Sequence, residues 1–185
     1  MTMDTLVTDR HTGIQAMLRD CCPHIKLRFD VWHVTKGIKK KLLGLGRPAR
    51  HQVVRLCIES LIRHAYWCPR TSGDNGDLCL AKWVSAVNYI VDIHEHDDPL
   101  YPVCYHGSVS EPHEWLREES EAYRRVRDIL MAPALLKDIR MLSSGHQTYG
   151  LEAFHSLMIH FVPKSYSCSD EGMLARYEAC MLRDS

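Results

Sequence analysis

The sequence predicts an α/β fold, with two short strands close to its start and an almost wholly helical remainder. Three observations carry this reading. Thr5–Thr8 is a run of β-favouring residues. Ile25, Leu27, Phe29 and Val31 alternate with Lys26, Arg28 and Asp30, the period-two pattern of a half-buried strand. From Trp32 onward, apolar residues instead recur every three or four positions, as on one face of a helix.

Between the two strands, Ile14, Met17, Leu18 and Cys21 mark a helix that Pro23 closes. Each strand ends in a carboxylate, Asp9 and Asp30. Function in open α/β sheets gathers at the carboxyl ends of strands, so both acids are candidates. Trp32–Leu43 reads as a helix with Val34, Ile38 and Leu42 inward and Lys36, Lys39 and Lys40 outward, stopped by Gly44, Gly46 and Pro48. Val53–Tyr66 follows as a helix, and Pro69–Asp77 carries the punctuation of a loop. Further helices are expected over Leu78–Ile93, Glu114–Met131, Ala134–Leu142, Thr148–Val162 and Met173–Leu182, with an irregular stretch over His94–Pro112 and a break at Ser143–Gly145. Trp32, Trp67, Trp83 and Trp115 all sit on apolar stripes and are expected in the core.

At 185 residues with 45% apolar content, the chain can bury one good core. Lys and Arg (23) balance Asp and Glu (23), so global charge points to no polyanionic or membrane partner. The distribution is uneven: Arg19–Arg55 is dominated by basic residues, and Asp92–Glu121 by acidic ones. A basic face beside an acidic one suits a protein that grips phosphates on one side. No run is long enough to cross a bilayer, and MTMDTLVTDRHTG has no apolar signal core, so the eight cysteines are expected as reduced thiols.

Three segments taken together, LVTDRHTGI, DVWHVTKGIKKK and HQTYGLEAFHSLMIHFVPK, resemble the catalytic domain of DDE-type DNA transposases. More narrowly, they look like metazoan transposon-derived proteins in which an acid is followed by a [Cys/Asp]-x-x-His element, as in the hAT, Mutator and P-element groups. Asp30-Val31-Trp32-His33 fits that element. The resemblance spans residues 5 to 176. It implies a partial RNase H-like core over residues 1–45, a helical insertion over 46–142, and over 143–185 a C-terminal helix with the third acid and a tail. It further implies that the family's first strands and first catalytic Asp would lie upstream of Asp9. Strand cleavage and transfer by this chain alone would then be impaired.

On that resemblance Asp9 and Glu152 are expected to hold Mg²⁺ or Mn²⁺. Two-metal phosphoryl transfer sets two hard cations about 4 Å apart on carboxylate oxygens. The plainer alternatives are Asp9 capping the helix that begins near Thr12, and Glu152 favouring the dipole of its own helix. Asp30 and His33 are expected in supporting roles, against a structural ion pair of Asp30 with Lys26 or Arg28. Lys36, Lys39, Lys40, Lys41, Arg47 and Arg50 are candidate contacts to DNA backbone, against a solvated helix face. Cys68, His94, Cys104 and His106 are the candidate Zn²⁺ ligands among the insertion's thiols and imidazoles, which also include Cys79 and His96. No usual finger spacing is present, and buried thiols with surface imidazoles are the alternative. Expected partners are DNA and a second copy of the chain, with no membrane, in the nucleus. The rival reading is a non-catalytic DNA-binding or protein-interaction module.

Overall fold

A computed structural model describes residues 3–107, 115–161 and 169–183. The chain divides into two compact units, Met1–His146 and Gln147–Ser185. The first unit thus joins the expected core and the expected insertion in one body. Its boundary falls just after the expected break at Ser143–Gly145.

The first unit opens with strand β1 (Thr5–Thr8), helix α1 (Thr12–Cys21) and strand β2 (Lys26–Phe29). Parallel strands need a crossover, and α1 supplies it. β1 and β2 pair in parallel from Thr5 opposite Lys26 to Thr8 opposite Phe29. The ladder continues past both ends, with Lys26 N donating to Asp4 O at 2.9 Å and Asp30 N to Thr8 O at 3.1 Å. On its other side Phe29 bridges Leu142 in parallel, through Phe29 N to Met141 O (2.7 Å) and Ser143 N to Phe29 O (2.9 Å). The chain therefore returns beside β2 after its long helical excursion.

That excursion comprises α2 (Val31–Leu45), a 3₁₀ turn at Ala49–His51, α3 (Val54–Ser72), α4 (Gly76–Tyr89), α5 (Glu121–Leu130) and α6 (Pro133–Arg140). One apolar core runs through all of it: Val34, Ile38 and Leu42 of α2, Ile58, Leu61 and Ala65 of α3, Trp83 and Ala86 of α4, Val126 and Leu130 of α5, and Ile139 of α6. Each large aliphatic side chain so buried contributes about 1.5–3 kcal/mol against solvent exposure. Trp83 is fully buried, and its indole N–H donates to Leu130 O at 3.0 Å, so the ring anchors α4 to α5 without an orphaned donor.

Several boundaries differ from expectation. Pro69 does not open a loop; α3 runs through it to Ser72. Pro69 is itself buried, and it falls in the last turn, where its missing N–H breaks only one helical bond. The turn needs just three residues, with Gly73 at φ +57° and Asn75 accepting from Asp77 N (3.1 Å) and Leu78 N (3.0 Å) as the cap of α4. α4 stops at Tyr89, short of Ile93. There Asp92 takes a positive φ of 65° and Ile93 N turns back to Asn88 O. α5 begins only at Glu121, where Ser120 caps it by accepting from Tyr123 N at 3.1 Å. The expected helical residue Glu114 lies outside the described residues.

Of the four tryptophans only Trp83 is wholly buried. Trp32 is exposed, and Trp67 and Trp115 are half-buried on a cavity wall. An apolar stripe places a large ring at an interface but does not say whether the facing space is filled. In the second unit, α7 (Tyr149–Phe161) and α8 (Asp170–Arg183) lie against each other. The expected helix end at Val162 falls outside the described residues.

Candidate functional site

Three groups of side chains are the candidates for chemistry. The first is the carboxyl end of the parallel pair. Asp9 follows the buried Thr8 directly and is exposed, its carboxylate accepting from the Thr8 hydroxyl at 3.2 Å. It does not cap α1: the cap position is His11, which makes no side-chain bond there. The neighbouring Arg10 ties this turn to α6 through Asp138 at 2.8 Å.

Asp30 has a different role. It is 1% exposed and caps α2, accepting from Trp32 N at 2.9 Å. The basic residues beside it on β2 turn to another acid, with Lys26 and Arg28 lying 3.9 and 3.6 Å from Asp74. His33 is half-buried, its ring edge-on to Trp32 with centroids 4.8 Å apart. Glu152 lies in the first turn of α7, and its side chain is outside the described residues. Asp9 belongs to the first unit and Glu152 to the second.

The second group is basic. Lys36, Lys39, Lys40 and Lys41 are exposed on α2, opposite its buried stripe, and Arg47 is exposed just beyond. Two of the lysines are engaged locally. Lys36 Nζ sits 4.5 Å over the Trp32 ring, and Lys39 lies 3.4 Å from Glu59. Arg50's side chain is outside the described residues.

The third group lies in the segment after α4. Glu95 and Val103 form an antiparallel bridge, flanked by His96 N to Pro102 O (2.8 Å) and Cys104 N to His94 O (3.0 Å). Because side chains two apart share a face of extended backbone, His94 and His96 stand beside Cys104, with His106 next along. One ligating atom from each of His94, Cys104 and His106 lies within 4.8 Å of the others, so these three could hold a metal ion. His96 Nε2 is 3.2 Å from Cys104 Sγ, and Asp92 Oδ1 is 3.1 Å from His94 Nε2. Burial pushes the Cys104 thiol up, with a hydrogen bond from Tyr101 acting the other way, and burial with nearby His94 pushes His96 down. Asp92 holds its carboxylate there from a left-handed backbone that costs a non-glycine residue roughly 1–3 kcal/mol.

Cys68 is not part of this cluster. It is fully buried on α3, beside Cys79 and Lys82, and burial raises its thiol well above the ordinary range. Burial also lowers the pKa of Lys82, which is 2% exposed. Its Nζ donates to Thr71 O and Oγ1, both at 2.8 Å, beneath the Trp67 ring at 4.9 Å. Lys82 and Cys68 are thus satisfied parts of the core.

Next to the cluster, the described residues line an open cavity of about 840 Å³. Trp67, Tyr89, Tyr101, Tyr105 and Trp115 form its aromatic wall, and His64, Cys104 and His106 supply polar groups. His64 donates to Lys82 O at 2.6 Å, and burial lowers its pKa. That volume is in the range of sites for small organic ligands. The cavity, Asp92 and the arrangement of His96 were not anticipated. The readable signal was the pair of one-residue spacings, His94-x-His96 and Cys104-x-His106, which fits two short extended segments better than a finger loop. Comparisons with family models, with curated proteins and with solved structures find no match.

Proposed function

We propose that the protein derives from a DDE-type DNA transposase, with metal-dependent strand cleavage and transfer as its parent activity. The observation that carries this reading is Asp9: an exposed carboxylate at the carboxyl end of a strand in a β–α–β unit, not committed to capping the next helix. Its oxygens suit Mg²⁺ or Mn²⁺. When bound, such ions activate the attacking water or 3′-hydroxyl and steady the leaving oxygen. Asp30 fixes the start of α2, which sets His33 and the lysines in place. Lys40, Lys41 and Arg47, exposed on and just after α2, would meet DNA phosphates in sequence-independent, salt-sensitive contacts. Nuclear location and assembly of copies on DNA belong to the same reading.

With two of the family's three acids matched here, the expected readout is weak nicking of supercoiled plasmid in Mn²⁺ by the full chain, lost in Asp9→Ala. Equal nicking by both, or none by either, removes the enzymatic claim. The second reading is a non-catalytic binding module, and the aromatic cavity of the helical region favours it. In that case a gel-shift or ligand-binding signal would survive Asp9→Ala unchanged.

A further inference from the structure

Hydrogen bonding alone leaves the cluster after α4 incomplete. His94 uses Nε2 toward Asp92, while its Nδ1 is buried with no hydrogen-bond partner among the described residues. A buried ring nitrogen that neither donates nor accepts is a penalty that native interiors avoid. The other members show what is missing. His106 Nδ1 lies 2.8 Å from Gly107 O; a carbonyl only accepts, so Nδ1 carries the proton and Nε2 keeps its lone pair. Asn88 Nδ2, an amide donor, lies 3.2 Å from His96 Nδ1. That leaves the proton of His96 on Nε2, aimed at Cys104 Sγ. His94 Nδ1 and His106 Nε2 thus keep lone pairs within a cluster where one ligating atom from each of His94, Cys104 and His106 lies within 4.8 Å of the others, and the sulfur already receives a donor that suits a thiolate.

We propose that His94 Nδ1, Cys104 Sγ and His106 Nε2 bind one Zn²⁺ ion. Two nitrogens and a thiolate match the preference of zinc, and hard cations such as Mg²⁺ disfavour this set. The surrounding contacts are those that accompany metal-bound histidines: a carboxylate, Asp92, orients His94, and a backbone carbonyl orients His106. Three protein donors leave the fourth tetrahedral position to water or to an outside ligand. Cys104 and His106 both line the aromatic cavity, which places that position within reach of a ligand occupying it. The site uses neither Asp9 nor Glu152, so it stands or falls apart from the transposase reading.

The test is Co²⁺ and Zn²⁺ titration of the full chain after chelator treatment. The expected result is one ion per chain and, with Co²⁺, a thiolate-to-metal charge-transfer band. Cys104→Ser should abolish the band, and His106→Ala should weaken Zn²⁺ binding at least tenfold. Asp92→Asn should weaken it about 10–100-fold as a positioning effect. His106 is exposed and, among the described residues, hydrogen-bonds only its neighbour's carbonyl, so its variant should keep the wild-type circular dichroism. Cys57→Ser should bind as the wild type does. Absence of the band in the wild type, or unchanged affinity in both Cys104→Ser and His106→Ala, overturns the assignment.

Discussion

At the scale of single residues, Asp30 shows how one motif can hold two demands. The sequence placed it at a strand end before an x-x-His spacing. The structure buries it as the cap of α2, with Lys26 and Arg28 drawn away to Asp74. Asp30→Ala should cost about 1 kcal/mol from the lost cap, read as a lower urea midpoint. Asp30→Asn keeps an accepting oxygen and should hold nearly full stability. If Asp30→Asn loses plasmid nicking while its midpoint stays put, Asp30 acts in the chemistry as well as in the fold. The exposure of Asp9 just past β1 was legible because no apolar pattern extends to that position. Cys68 was misplaced for the opposite reason: spacing along a chain does not reveal that a thiol faces the core. His96 and Asp92 escaped selection because their parts depend on tautomer and backbone geometry, which composition does not encode.

At the scale of elements, periodicity located the strands and most helices, and failed where local punctuation met tertiary packing. Pro69 looked like a stop, but the burial of Pro69 and Cys68 holds α3 together beyond it. Trp115 and Leu116 looked helical, yet Leu116 N instead bonds Ile90 O at 2.9 Å, and the Ser120 cap sets the start of α5. Gly76 read as loop glycine. It is the first residue of α4, where a Cβ would stand 2.5 Å from Arg140 O. A backbone atom cannot step aside as a side chain can, so Gly76→Ala should destabilise by about 1–3 kcal/mol. Gly44 in α2 meets nothing within 4 Å, and Gly44→Ala should instead stabilise by about 0.5–1 kcal/mol. Urea denaturation of the pair checks both signs.

At the scale of the whole molecule, no helix among the described residues is long and apolar enough to cross a membrane, and the interior holds thiols that resist ionisation. Burial pushes Cys79 from an ordinary value of 9.0 to about 12, and Cys68 upward as well. Above pH 9 the unfolded chain gives up these protons while the folded chain keeps them. The folded state then binds more protons, and stability must fall as pH rises from 9 toward 12. Cys79→Ala should flatten that decline by an amount on the order of 1–4 kcal/mol at pH 12, measured by denaturation at fixed pH values. The extent of this core was readable from apolar stripes; the cavity was not, because stripes record which faces are apolar and not whether they meet. Among the described residues β1 is paired on one side only, by β2, so its outer flank offers a row of amide and carbonyl groups as a template. A segment aligning there in the same direction would finish at the same rim as Asp9. It would bring its own terminal side chain alongside that carboxylate, whether it came from the same polypeptide or from another.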